Sequence, residues 1–304
     1  MLLIGQSLEL SHSSRIEAVR SEDRRAIREQ VRAQLAAGAE AIDINGGPRA
    51  DVADLAWCAE VLREAFPAVP LFIDTASALL LGEVLDACHR GALAPPFIAN
   101  SIPVDAGGVP RQEGPLALRV AARTGAGVVI SPRLVEPLDA PATAEVVADA
   151  GRHGASVARA AGVRDEVYVD ALAFPPVSDA LRCRRSLDTL RLLRALRESE
   201  TAGSDGHLVP LTAAGNVGYG APPPLAAALR AVYAAAAVGA GAGALILPVE
   251  ETSTVRAVRL ALGDCVPLDA ADRWLAQVAT AARAGARPEA APAEYVEAAR
   301  LIFG

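Results

Sequence analysis

The chain has 304 residues, of which 52% are hydrophobic and 21% charged, with a formal net charge of −7. It is long enough for a large core, and its acidic balance is the opposite of the basic footprint of nucleic-acid-binding proteins. All 29 basic residues are arginine, so Schiff-base aldolases, pyridoxal-phosphate enzymes, P-loop NTPases and protein kinases, which need a lysine amine, are excluded.

Short β-rich apolar runs alternate with amphipathic Ala/Arg/Leu-rich stretches. The predicted strands, in chain order, are Leu2–Ile4, Ala41–Ile44, Leu71–Ile73, Phe97–Ala99, Gly127–Ile130, Val167–Val169, Leu208–Leu211 and Ala244–Leu247. Helices are expected between them near Glu22–Ala37, Ala53–Ala65, Ala78–His89, Pro115–Thr124, Thr143–Ala161, Asp179–Glu198, Leu225–Val238 and Thr252–Leu262. Eight such units point to a closed (β/α)8 TIM barrel of the α/β class rather than a doubly wound sheet. Asp269–Ala284 and Ala293–Ile302 add two helices, so residues 1–264 are expected to form the barrel and 265–304 a helical extension packed on it.

Gly38, Gly91, Gly125, Gly162 and Gly239 follow helical stretches and are expected as left-handed caps. Leu225–Leu247 is interrupted by Arg230, Gly239, Gly241 and Gly243, so it reads as a buried helix followed by a strand, not a membrane span. No signal-peptide pattern follows Met1, so a cytoplasmic location is expected. Cys58, Cys88, Cys183 and Cys265 form no C-x-x-C pair, and His12, His89, His153 and His207 are scattered. Neither a disulfide framework nor a zinc site is expected, and the cysteines read as small buried residues.

In such a barrel the active site lies at the C-terminal ends of the strands. The residues there are Asp43 and Asn45 (two apart and so on one face), Asp74-Thr75, Asn100-Ser101, Asp170, Gly215-Asn216-Val217-Gly218 and Glu250-Glu251. Each alone could be a turn former or a helix N-cap. Together they describe a pocket rich in carboxylates and amides, suited to a neutral heterocycle with several N–H donors. Other readings stay open. Gly215–Gly220 could cradle a phosphate, and Asp43, Asp74 and Glu250 could share a divalent metal, although their spacing argues for no metal. His12 could be a base or a surface loop residue. The Arg24-Arg25-Arg28-Arg32 face and the Arg182–Arg185 run read as solvated helix faces.

The strand ends also carry a resemblance. Met1–Gly5, Ala37-Gly38-Ala39 leading into Ile42-Asp43-Ile44-Asn45-Gly46-Gly47-Pro48, then Phe72-Ile73-Asp74-Thr75, Ile98-Ala99-Asn100-Ser101, Val167-Tyr168-Val169-Asp170 and Asn216-Val217 occur in order. Over residues 1–262 the chain resembles the methyltetrahydrofolate:corrinoid methyltransferases, whose pterin-binding barrel is similar to dihydropteroate synthase. The resemblance implies transfer of a methyl group between N5 of tetrahydrofolate and the cobalt of a corrinoid (cobalamin) carried on a partner protein, by an enzyme that is often a homodimer. It implies that Asp74, Asn100 and Asp170 hold the pterin and that Asn216 bonds N5. Asn216 and Asp74 are then the catalytic candidates, and Gln6, Asp43, Asn45 and Ser101 are further pterin-binding candidates. Dihydropteroate synthesis itself is not expected, since that enzyme's substrate-binding lysine has no counterpart. Gly5-Gln6-Ser7-Leu8-Glu9 stands where the family usually has Gly-Glu-Arg-x-Asn, Gly215 and Gly218 stand at the positions of its serines, and Pro222–Pro224 stands where it has a downstream arginine. A non-catalytic pterin- or corrinoid-binding scaffold, or an enzyme acting on a phosphorylated substrate, are the alternative functions.

Overall fold

The computed structural model describes residues 1–75, 77–91, 93, 96–134, 142–199 and 208–304; His207 lies outside them. Eight parallel strands close in sequence order: β1 (Leu2–Glu9), β2 (Ala41–Asn45), β3 (Leu71–Asp74), β4 (Phe97–Pro103), β5 (Gly127–Ser131), β6 (Val167–Asp170), β7 (Leu208–Thr212) and β8 (Ala244–Leu247). β8 pairs back onto β1 through Leu2↔Ala244 to Gly5↔Leu247. The fold is therefore the expected (β/α)8 barrel. The helices around it are α1 (Ser13–Arg20), α2 (Arg24–Ala36), α3 (Val52–Ala65), α4 (Ala78–Arg90), α5 (Gly114–Thr124), α6 (Ala144–Ala160), α7 (Ala180–Ser199), α8 (Pro223–Ala240) and α9 (Thr252–Leu262). Beyond them come α10 (Ala270–Arg283) and α11 (Val296–Phe303). α1 has no counterpart among the predicted elements. It buries only Ile16 and Val19, too few apolar positions to establish a helical period.

Strand side chains alternate between two cores. Ile4, Ala41, Phe72, Ile98, Val129, Tyr168, Leu211, Ala244 and Ile246 fill the barrel interior, with the Phe72 and Tyr168 rings 5.3 Å apart. Their neighbours, such as Leu3, Ile42, Ile73, Ala99 and Val169, face the helices. Full burial of each large aliphatic or aromatic side chain contributes about 1.5–3 kcal/mol.

α8 is long and apolar enough to cross a membrane, yet its buried residues run unbroken from Ala231 to Ala240 beneath neighbouring helices. It is a core helix leading into β8, as expected. Its left-handed cap is Gly241, not Gly239. Gly239 is inside the helix, where a Cβ would meet the Ala279 carbonyl oxygen at 2.0 Å, so its role is close approach to α10. Gly38, Gly125 and Gly162 do take positive φ, whereas Gly91 has φ −74° and ends α4 without that geometry. α10 lies on α8 and α9, and α11 on α7 and α8. Arg256 Nε donates to Asp272 Oδ1 at 2.9 Å, joining α9 to α10. Two arginine groups are more engaged than solvated faces would be. Arg24 and Arg28 bond Glu60 and Glu64 of α3, Arg182 stacks over Phe174, and Arg185 donates to the Ala142 carbonyl.

Candidate active site

Each inward apolar residue of four strands is followed, two positions on, by an inward polar one: Ala41 by Asp43, Phe72 by Asp74, Ile98 by Asn100, and Tyr168 by Asp170. The period of the strand thus stacks a polar layer on the apolar plug. The cup so formed is lined by Gln6, Glu9, Asp43, Asn45, Asp74, Asn100, Ser101, Arg133, Asp170, Leu211, Ala213, Asn216, Tyr219 and Ile246. The eight residues expected from the sequence to bind or act on a pterin (Gln6, Asp43, Asn45, Asp74, Asn100, Ser101, Asp170 and Asn216) meet in it.

These groups are not helix caps. Among the described residues the caps with side-chain bonds are Asp23, Asp51, Ser77, Thr143, Asp179 and Asp269, so the cap for the helix after Asp74-Thr75 is Ser77, and the cup's carboxylates are left for other uses. Asn100 Nδ2 donates to Asp43 Oδ1 at 3.1 Å, and no described residue bonds the Asn100 side-chain oxygen. Asn45 is held at both ends, Nδ2 donating to Asp74 Oδ2 at 2.6 Å and Oδ1 accepting from the Gly47 N–H at 2.9 Å. It braces Asp74. Asp170 Oδ1 accepts from the Leu172 N–H at 2.9 Å, and Leu172 has positive φ, 59°. Ser101 Oγ accepts a 3.4 Å bond from Arg133 Nη2. The carboxamides of Gln6 and Asn216 bond no other described residue.

Three acids in this small space titrate high. Burial, together with the charge of Asp74, pushes Asp43 well above the ordinary carboxylate range. Burial also pushes Asp74 up to about 7, opposed by Arg133 and reinforced by Asp170 and Glu9. It pushes Asp170 up to about 6 against the Leu172 N–H and Arg133. Perturbed carboxyl groups converging in a cleft mark a functional site. The cup's volume is about 130 Å³, below the roughly 300–1,000 Å³ that encloses a whole drug-sized ligand. It admits one small ring system and leaves the rest of a larger molecule outside. A cavity of about 750 Å³ near the starts of α6 and α7 carries Arg182 and Arg191 paired with Asp179 and Asp188, and none of the cup's groups.

Several expectations change. Glu250 and Glu251 do not join the cup: Glu250 accepts from Ser7 Oγ at 2.8 Å, and Glu251 holds Arg230 through bonds of 2.8 and 2.6 Å. Glu250 is not among the residues that line the cup with Asp43 and Asp74, and the three form no candidate metal group among the described residues. The glycines after β7 fold as a 3-10 turn (Ala214–Gly218), in which the Asn216 and Tyr219 N–H groups are taken by the Ala213 and Asn216 carbonyls. A Cβ on Gly218 would lie 2.0 Å from Arg230 Nη1, so this glycine makes room for a side chain and not for a phosphate. His12 is exposed, at the N-cap of α1.

The sequence reading missed Glu9, Arg133 and Tyr219. Glu9 enters the cup because β1 carries a bulge: Gly5 pairs with Ile42 and Leu8 with Ile44, so Gln6 and Ser7 together face Asp43. The extra residue shifts the alternation and turns both Gln6 and Glu9 inward. A second irregularity between Asn100 and Ile102 places Asn100 and Ser101 on the cup. Arg133 follows β5 in Ser131-Pro132-Arg133, a strand end without the Asp, Asn or Glu that marks most of the others.

No family model matches the chain, and no curated protein matches it. Among solved structures, dihydropteroate synthase from Burkholderia cenocepacia is 26% identical, with 87% of this chain and 93% of that one aligned at a TM-score of 0.52. The Yersinia pestis enzyme, solved with a pterine-sulfa conjugate, is 18% identical over 86% and 93% of the two chains at a TM-score of 0.55. The Stenotrophomonas maltophilia enzyme, with imidazole in its active site, is 20% identical over 88% and 94% at a TM-score of 0.56. The chain shares with them the barrel and its order of elements.

Proposed function

We propose that the cup binds the ring of a reduced folate and that the protein transfers a methyl group between N5 of tetrahydrofolate and a corrinoid carried by a partner protein. One observation carries this reading: Asp74, Asn100, Asp170 and Asn216, from four separate strand ends, line a single ring-sized cup. A pterin's 2-amino and N3–H groups are adjacent donors that suit the open oxygens of Asp74 and Asp170, and the Asn100 oxygen adds an acceptor. The dihydropteroate synthase structures with the same barrel, one solved with a pterine conjugate, support a pterin as ligand.

Asn216 would act at N5. The methylated nitrogen is a poor leaving group until the electron pair returning to it is stabilised by a proton or a strong hydrogen bond. The unengaged amide of Asn216 offers that bond, and an interaction that strengthens as the C–N bond breaks raises kcat. When bound, the corrinoid supplies a reduced cobalt as methyl acceptor. Exposed Val109, Val177, Leu181 and Tyr219 lie on segments that follow β4, β6 and β7. They offer the apolar rim that docking of such a large group requires. Nothing in the chain has to be a nucleophile.

Mixing the protein with reduced cobalamin and methyltetrahydrofolate and following absorbance tests this. Conversion to methylcobalamin is expected. Binding of the folate with no conversion favours the scaffold reading, and no folate binding overturns the pterin assignment. A second reading, dihydropteroate synthesis, is favoured by the structural neighbours and by the cation Arg133 on the cup. The lack of any lysine stands against it, and an assay for dihydropteroate formation decides between them.

A further inference from the structure

The β1 bulge is clamped from outside the barrel. Gln34 Oε1 accepts from the Ser7 N–H at 3.0 Å, and Gln30 Nε2 donates to the Ser7 carbonyl. Gln34 is fully buried, and it reaches the strand because residue 5 is glycine: a Cβ there would lie 2.3 Å from Gln34 Oε1. With Ser7 held outward, Gln6 faces the cup. There its carboxamide lies against Gly215, where a Cβ would stand 2.0 Å from Oε1 and 2.4 Å from Nε2. Gly5 and Gly215 thus make room for two glutamines, one that aims the bulge and one that the bulge aims. Gln6 ends beside the turn that carries Asn216, and no described residue takes up its hydrogen-bonding groups.

We propose that Gln6 is a substrate-contacting specificity residue, donating a hydrogen bond to the ring carbonyl oxygen on C4 of the bound pterin. Gln34 is its positioning residue. The inference rests on the pterin reading above, with Asn216 at N5. On a pterin the C4 oxygen is the immediate neighbour of N5 across the ring fusion, so a second carboxamide beside Asn216 meets that oxygen. The carboxyl oxygens of Glu9, Asp43, Asp74 and Asp170 make the cup rich in hydrogen-bond acceptors, which favours the N–H end of the Gln6 amide facing inward. A site built to donate at this position accepts a 4-oxo ring and disfavours a 4-amino ring, whose donors would face the donor of Gln6.

Folic acid and aminopterin differ at this ring position, oxygen in one and an amino group in the other, and their affinities can be measured by calorimetry. The native chain is expected to prefer folic acid. Gln6→Glu, which replaces the donor by an acceptor, is expected to move the affinity ratio toward aminopterin by about tenfold or more. Gln6→Ala, and Gly215→Ala through displacement of the carboxamide, should move it less and in the same direction. Native-like melting of the variants accompanies the comparison. Binding with an unchanged ratio in Gln6→Glu and Gln6→Ala overturns the role of Gln6 alone. Failure of the native chain to bind folic acid and methyltetrahydrofolate overturns the pterin reading and this inference with it.

Discussion

The Asp74→Asn substitution separates what the cup costs the fold from what it gives the ligand. Asp74 titrates at about 7 in the fold against 3.8 for an ordinary aspartate. The native state therefore holds this proton more tightly than the unfolded chain. Between pH 3.8 and about 7 stability falls as pH rises, and the full penalty is present above pH 7. At 1.36 kcal/mol per pH unit the ceiling is about 4 kcal/mol. Asp74 opens onto the cup's solvent and faces Arg133, so screening leaves roughly 1–2 kcal/mol. The substituted amide keeps the acceptor that Asn45 needs and removes the charge. The variant should be more stable than the native chain by that amount at pH 8, a rise in Tm of roughly 2–4 °C for a chain of this size. The difference should vanish near pH 4, where both side chains are neutral. The same variant should bind methyltetrahydrofolate roughly ten- to a hundredfold more weakly, because an acceptor of two ring N–H groups becomes partly a donor. Urea unfolding at pH 4 and pH 8, with calorimetry at pH 8, tests both halves. Equal stability at pH 8, or a gain that persists at pH 4, would refute the electrostatic argument; unchanged folate affinity would refute the placement of the ligand.

Other outcomes follow from the same geometry. Asn216→Ala should lower the single-turnover rate of methyl transfer far more than folate affinity, and equal losses in both would reject a transition-state role. Folate affinity should fall as pH drops below about 7 and again below about 6, because Asp74 and Asp170 must lose their protons to accept the ring donors; a flat binding profile between pH 8 and 5 would contradict this. Gly218→Ala should destabilise the fold by about 1–3 kcal/mol in urea unfolding, since the new methyl displaces Arg230 from its two-point bond to Glu251. Arg230→Met should lose the same pair, and Gly218→Ala in that background should then cost much less; an undiminished cost would show that Arg230 is not the obstacle.

The sequence by itself determined the barrel and most of the cup. A strand alternates with period 2, so an acid or amide two residues after an inward apolar residue faces the same interior, and Asp43, Asp74, Asn100 and Asp170 were legible for that reason. Asn216 was legible from its place after β7. Only the tertiary structure decided which neighbours joined them. Glu9 enters because the β1 bulge is held by Gln30 and Gln34, residues more than twenty positions away, and no local pattern encodes that clamp. Glu250 and Glu251 leave the cup because Ser7 and Arg230, brought near by barrel closure, bind them first. Gly215 and Gly218 read locally as part of a candidate phosphate cradle, whereas in the fold each is the space another side chain occupies. Alternation along one strand is a local property; register shifts and shared space belong to pairs of strands, and they come into being only when the barrel closes.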